Sequence, residues 1–250
     1  MKLGDVLKEK GLITEDRLNV ALAHQKITVT LLGETLINLG FVSSREMAET
    51  LAVQAGIPFL DLSEFSVSEE AIRLIPKDVA EKMDFIPLRL TDDNVIEIGV
   101  TNPSNILALD TASKLTGRKT KAFMIDNVGF REALERAYFF LDNPIQQMIT
   151  KAIIEIKSSP ELPAATVADL SQNLIMEGVR RKATDIHITT SADTVNIFYR
   201  VDGVLQHGFC ISKSAHSGIA SRIKVMSLLD ISEKRLPQDG SFSLPFLNTK

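Results

Sequence analysis

The sequence predicts an α+β chain of several domains, and three observations carry that expectation. Residues 2–25 and 31–54 repeat one another with helical spacing. Residues 58–140 alternate short helix and strand patterns, and residues 166–250 do so again after a Pro/Ser-containing stretch. A chain of 250 residues holds one large domain or two to three small ones.

The repeat is the most informative part. "KLGDVLKEKGLITEDRLNVALAHQ" (Lys2–Gln25) and "LLGETLINLGFVSSREMAETLAVQ" (Leu31–Gln54) are separated by five residues, "KITVT". Laid over each other they share Leu3/Leu32, Gly4/Gly33, Leu7/Leu36, Gly11/Gly40, Leu22/Leu51 and Gln25/Gln54, with Leu18 opposite Met47. Leu3 and Leu7 lie four apart, as do Leu32 and Leu36, so each pair sits on one helical face. Gly11 and Gly40 fall where a helix ends in a left-handed residue. Ser43 with Glu46 reads as a capping box opening a second helix, and Thr14 as the equivalent N-cap in the first copy. Leu18, Leu22 and Gln25 then stand at i, i+4 and i+7, as do Met47, Leu51 and Gln54. Core packing accounts for the leucines and helix termination for the glycines. The glutamines, if buried on the apolar faces, need hydrogen-bond partners, so the repeat predicts something polar to be read.

Downstream, "FIPLRL" and "VIEIGV" flank the turn "TDDN", "KAFMI" is a further strand and "NVGFREALERAYFF" a helix. "PIQQMITKAIIEIK" is helical and "SSPELPAAT" is the best linker. In the last part "VADLSQNLIMEGVRRKA" is an amphipathic helix and "TDIHIT" a strand, with Asp185 and His187 assigned to opposite faces. "TVNIFYRVDGVLQHGFC" is a hairpin turning at Asp202–Gly203. "AHSGIASRIKVMSLL" is helical, and "GSFSLPFLNTK" opens a sheet segment it does not complete, as expected of a piece of a longer protein.

Composition excludes several classes. No run approaches the ~18 apolar residues of a membrane span, and the N-terminus lacks a secretory core. Cys210 alone cannot form an intrachain disulfide, and the four histidines have no metal-ligand spacing. Residues 1–140 hold 16 Lys+Arg against 21 Asp+Glu, and residues 141–250 hold 12 against 11. That is not the basic footprint of a nucleic-acid binder. "TGRKT" (Thr116–Thr120) lacks the leading glycine of a phosphate-binding Walker A loop and reads as a helix-to-strand connection. No catalytic constellation is visible.

The paired segments resemble the tandem motif of the MshEN-type cyclic di-GMP-binding domain, R-L-G-x-x-L-x-x-x-G-x6-L-x3-L-x-x-Q written twice with five residues between. "IPKDVAEKMDFIPL" and "DNPIQQMI" resemble the N-terminal region of type II secretion and type IV pilus assembly ATPases. "TDIHI", "YRVDGVL" and "SRIKVMSLLDISEKRLPQDG" resemble the domain just before that family's Walker A loop. The resemblance implies a helical tandem-repeat subdomain (1–57), a small α/β subdomain (58–140), a helix and linker (141–165), and a separate α/β, PAS-like domain (166–250) that precedes an ATPase core absent from this chain. It implies a regulatory and docking portion, with no ATPase activity of its own, of an ATP- and Mg-dependent hexameric motor. That motor would be cytoplasmic, peripheral at the inner membrane and partnered by the cytoplasmic domain of a secretion or pilus platform protein.

Cyclic di-GMP binding would fall to Lys2, Leu3, Gly4, Leu7, Gly11, Leu18, Leu22 and Gln25 in one copy. In the other it would fall to Leu32, Gly33, Leu36, Gly40, Met47, Leu51 and Gln54. Leucines would seat the purine faces, backbone N–H groups near Gly4 and Gly33 would approach phosphate, and the glutamines would meet polar base edges. Arg200 and Arg222 match family arginines that reach ATP phosphates in the hexamer, Arg235 more weakly; the plain alternative pairs Arg200 with Asp185. The sequence departs from the family where its leading arginine is Lys2 in one copy and Leu31 in the other, and where Asn102 replaces an expected aspartate. Arginine engages guanine with two parallel donors, which lysine and leucine cannot reproduce. These departures support the alternative of a protein-docking adaptor with a decayed nucleotide site.

Overall fold

The computed structural model describes residues 2–158 and 164–244. They divide into two compact units, Met1–Leu141 and Asp142–Lys250. No helix among the described residues is long and apolar enough to cross a membrane.

The first unit opens with the repeat, as α1 (Leu3–Glu9), α2 (Glu15–Thr28), α3 (Leu32–Asn38) and α4 (Ser44–Ala55). Gly11 and Gly40 take φ of +70° and +68°. In both copies the same two bonds close the first helix. Gly11 N–H donates to Lys8 O and Leu12 N–H to Leu7 O, matched by Gly40 to Ile37 and Phe41 to Leu36. This is the Schellman arrangement, which satisfies carbonyls that a helix end would otherwise strand. Thr14 Oγ1 accepts the Arg17 N–H, and Ser43 and Glu46 form the full capping box. The two copies do not fold as separate hairpins. α1 packs on α4 and α2 on α3, around one core of Leu7, Ile13, Leu18, Ala21, Leu36, Val42 and Met47.

The spacer between the copies is held by side-chain hydroxyls. Thr28 Oγ1 bonds Thr30 Oγ1 at 2.9 Å, and Thr30 Oγ1 bonds the buried Thr35 Oγ1 at 2.8 Å. Between them Val29 is 90% exposed at φ +54°, a left-handed conformation that crowds a β-branched side chain at about 1–2 kcal/mol. Its N–H caps α2 on Gln25 O, which glycine would preserve. Val29→Gly is therefore expected to raise the stability of the first unit by about 1 kcal/mol, after glycine's own entropy cost, as an upward shift in the urea midpoint.

After the repeat come α5 (Glu69–Arg73), α6 (Lys77–Lys82), β1 (Phe85–Thr91), β2 (Val95–Val100), α7 (Ile106–Thr116), β3 (Lys119–Met124) and α8 (Asn127–Asp142). The sheet order is β1-β2-β3, with β1/β2 antiparallel and β2/β3 parallel across α7. "TGRKT" is the connection expected: Gly117 caps α7 in the left-handed region and Lys119 starts β3. Residues 58–60 lie along the edge of β3, with Met124 N–H on Pro58 O and Leu60 N–H on Met124 O. α4 closes over this edge through Ala48 and Ala52 against Met124, Ile57 and Phe59, so the repeat and the sheet share the unit.

Across the three strands Arg89, Glu97 and Lys121 stand in register. Glu97 is buried, with Arg89 Nε at 2.6 Å and Lys121 Nζ at 3.1 Å. Burial alone would raise its pKa, but the bonds from Arg89 and Lys121 outweigh it and hold the carboxyl below its ordinary value. A depressed carboxylate stabilises above its unfolded pKa of ~4.3 and loses that contribution as pH falls through the lower folded value. Chemical denaturation from pH 6 down to pH 3 should therefore show a shallower acid loss in Glu97→Gln than in the unmodified chain.

The second unit contains α9 (Ile145–Ser158), α10 (Ala164–Arg180), β4 (Asp185–Thr190), β5 (Thr194–Val201), β6 (Val204–Ser212) and α11 (His216–Met226). Residues 141–165, read as helix and linker, supply α9, which packs along α10; residues 159–163 of the expected linker lie outside the described ones. The three strands form an antiparallel meander. Asp202 and Gly203 at φ +50° and +78° make the two-residue hairpin turn, whose twist matches the strands. Residues 240–244 carry no strand, against the sheet segment expected there, and residues 245–250 lie outside the described ones.

The core of this unit is arranged around Tyr199, wholly buried on β5. Its hydroxyl donates to Leu174 O at 3.1 Å. A Cβ at Gly208 would lie 2.3 Å from Tyr199 Cε2, and one at Gly178 would lie 2.6 Å from Ile186 Cδ1 and 3.6 Å from Tyr199 Cε1. The Arg181 guanidinium lies 4.8 Å over the ring.

Candidate functional site

The fold brings the opening turns of the two motifs together. The Cβ position of Gly33, at the start of α3, lies 3.8 Å from Leu3 Cδ2 at the start of α1 and 3.4 Å from Met47 Sδ. In the first copy the Cβ position of Gly4 lies 3.0 Å from both Leu18 methyls. Each motif glycine thus lets its short helix approach the leucine or methionine of its own second helix, and a methyl group at Gly4 would force Leu18 aside. Neither α1 nor α3 has a side-chain cap at its N-terminus.

The structure sorts the motif residues. Leu7, Leu18, Leu36 and Met47 are sealed in the shared core, and Gly11 and Gly40 serve the turns. Gly4 is buried. Leu3, Leu32, Gly33 and Leu51 are half-buried. Leu22 is 38% exposed. Gln25 is half-buried and Gln54 exposed, so neither is the buried glutamine the spacing suggested. Each stands near the end of its helix, seven residues after the core residue of its motif, where the helix has run past the packed face. Lys2 and Leu31 are the N-cap residues of α1 and α3, both exposed. Asn102 stands apart, in the loop after β2, where its Oδ1 accepts the Ser104 N–H.

In the second unit Arg200 is engaged locally. Its Nε reaches Asp185 Oδ2 at 3.1 Å, its Nη1 reaches Gly203 O at 3.2 Å, and Nη2 lies 3.5 Å from His187 Nε2. Asp185 and His187 therefore share one face of β4, contrary to the expectation of opposite faces: strand residues two apart point the same way. Arg222, on α11, has its Nε buried without a hydrogen-bond partner. Arg235 is in the loop after α11, its N–H donating to Glu233 Oε1.

Two buried carboxylates were not legible as sites. Glu97 is described above. Glu177 on α10 is fully buried and accepts from Arg180 Nε and Nη2 at 2.7 and 2.8 Å, Arg181 Nε at 2.7 Å and Gln146 Nε2 at 3.0 Å. Burial raises its pKa, but the bonds from Arg180, Gln146 and Arg181 prevail and keep it below the usual value. The only sequence signal is a glutamate on the apolar side of α10 followed by arginines three and four residues on, which by itself also describes a solvated helix face.

Comparison with known proteins defines the class. Residues 55–140 match the MshEN domain and residues 161–250 match the type II/IV secretion system protein family. The first match begins just past the paired motif. The type IV pilus assembly ATPase PilB of Myxococcus xanthus is 30% identical over 97% of this chain and 45% of its own length. The type II secretion system protein E of Xanthomonas campestris is 28% identical over 82% of this chain and 38% of its own. A solved structure of MshE with cdg is 29% identical, covering 55% of this chain and 99% of its own, at a TM-score of 0.49. The chain belongs to the family of type II secretion and type IV pilus assembly ATPases, over the part that carries the MshEN domain and the beginning of the secretion-protein domain. It spans less than half the length of the Myxococcus and Xanthomonas relatives.

Proposed function

We propose that this chain is the regulatory input of an assembly ATPase, and that its paired repeat binds cyclic di-GMP. The observation that carries the reading is the meeting of the two motif starts, Leu3 against Gly33, within one shared core. A ligand with two equivalent halves suits a surface built from two equivalent turns. In this reading Leu7, Leu18, Leu36 and Met47 fix the helices and Gly11 and Gly40 the turns. Gly4 and Gly33 bring the helices close, and Lys2, Leu3, Leu22, Gln25, Leu32, Leu51 and Gln54 face the nucleotide.

The motor itself would be the ATP- and Mg-dependent hexamer of the longer protein, at the cytoplasmic side of an inner-membrane platform. There Arg222, with its unpartnered Nε, is the better placed of the two arginines for ATP phosphate. Arg200 would first have to leave Asp185.

One observation favours the alternative, a docking adaptor with a decayed nucleotide site. Leu31 sits 66% exposed where the family motif has its arginine. The two readings separate on Leu31→Arg, measured by competition with a fluorescent cyclic di-GMP. A live site should gain about 5- to 150-fold in affinity, the ~1–3 kcal/mol of one bidentate guanine contact. An adaptor without a site should gain nothing, and its capture of the platform's cytoplasmic domain should not respond to nucleotide.

A further inference from the structure

Helix α2 is apolar on two opposite faces. At about 100° per residue, Leu18, Ala21 and Gln25 lie on one side and Val20, Ala23 and Ile27 on the other. The first row faces the shared core, with Leu18 and Ala21 buried. The second is bare: Val20 is 52% and Ile27 82% exposed, and Ala23 between them is exposed too. The other copy shows the same position covered. Ala52, 29 residues after Ala23, is 2% exposed beneath Met124, Ile57 and Phe59.

We infer that the Val20–Ala23–Ile27 face of α2 is a contact surface for a second copy of this chain, with the two α2 helices antiparallel about a two-fold axis. The row is self-complementary in shape. Ala23 at its centre lets the helix axes come close, and Val20 of one copy then stands beside Ile27 of the other. It is also self-complementary in charge. The first turn of α2 carries Asp16, beside Glu15, which is bound to Lys8 at 2.6 Å, and the last carries Lys26. Antiparallel pairing sets each acidic end beside the other copy's basic end, whereas parallel pairing sets like beside like. The face is separate from the motif residues Leu18, Leu22 and Gln25, so ligand and second copy do not compete for it.

One helix pair covers less than the ~800 Å² per partner of a standard interface, so the dissociation constant should be of order 10⁻⁴ M. The test is sedimentation of the full 250-residue chain from about 1 μM to about 1 mM. The expected result is a reversible dimer whose dissociation constant rises at least ~tenfold in Val20→Asp and Ile27→Asp. Both residues are exposed, so the fold should survive, with a melting temperature lowered by no more than a few degrees from helix propensity and dipole effects. In a Cys210→Ser background, Ala23→Cys should then cross-link to a disulfide dimer on mild oxidation, while Glu9→Cys, at the exposed last residue of α1, should not.

A monomer throughout, or a dimer untouched by the aspartates, would overturn the inference. Two other results would overturn it by assigning the row elsewhere. One is an Ala23→Cys thiol that stays closed to a thiol reagent at about 1 μM chain, well below the expected dissociation constant, which means cover from the same chain. The other is co-sedimentation with anionic vesicles without self-association.

Discussion

Glu177→Ala is expected to destabilise the second unit by about 1–3 kcal/mol, the usual cost of leaving hydrogen-bond donors without the charged acceptor that satisfied them. The carboxylate is the shared acceptor for Arg180, Arg181 and Gln146. Its loss strands guanidinium donors whose side chains are 36% and 21% exposed and unties α9 from α10. The chain supplies its own probe, since it has no tryptophan and one tyrosine in each unit, Tyr138 and Tyr199. In a Tyr138→Phe background, tyrosine fluorescence during urea unfolding reports the second unit. Glu177→Gln keeps the shape and loses the charge, so its penalty should be smaller than that of Glu177→Ala, and its stability should fall less with acid than that of the unmodified chain. The depressed carboxyl stabilises the unmodified chain above ~4.3 and loses its effect as pH falls through the folded value. Equal loss of stability between pH 6 and 3 in Glu177→Gln and in the unmodified chain would show that the charge contributes nothing.

The second large effect concerns Tyr199. Tyr199→Ala is expected to cost about 3–5 kcal/mol, from lost burial and the cavity left among α10, β4 and β6. Gly208→Ala should be nearly as damaging, because its Cβ falls 2.3 and 2.7 Å from ring carbons and 3.2 Å from the Ile197 carbonyl oxygen. Overpacking of this kind costs about 1–3 kcal/mol or more. The decisive experiment is the cycle. If the ring excludes a side chain at 208, Gly208→Ala should cost much less in a Tyr199→Leu background, a coupling of about 1–2 kcal/mol. Additive losses would place the strain in the backbone of β6 at Gly208, where its pairing with β5 shifts register between Ile197 and Phe198.

What the sequence showed and what it hid divide on physical lines. Features settled within a few residues were readable. Gly11 and Gly40 ending helices, the Ser43–Glu46 box and the Asp202–Gly203 turn all depend on local backbone geometry. Features settled across elements were not. Glu97 and Glu177 look like ordinary surface charges until strand register and helix packing bring Arg89, Lys121 and Gln146 to them. The stacking of the repeat is of the same kind. Spacing sets which residues share a face, but not that α1 would choose α4 and α2 choose α3. The glutamines mark the limit of pattern reading, because a helix that outruns its partner exposes its inward row. Asp185 and His187 were readable and misread, since a period of two puts them together, and Arg200 touches both.

The most direct test of the account is a calorimetric titration of the chain with cyclic di-GMP, beside a Gln25→Ala, Gln54→Ala double variant. The account predicts saturable binding of one ligand per chain with micromolar affinity, lost in the double variant while its melting temperature holds. At a hundredfold excess over the dissociation constant such a ligand should also stabilise the chain by about 2.7 kcal/mol. No heat and no melting shift at millimolar ligand would contradict it. The repeat would then be a helical scaffold for docking, with Leu31 the mark of a site that has been lost.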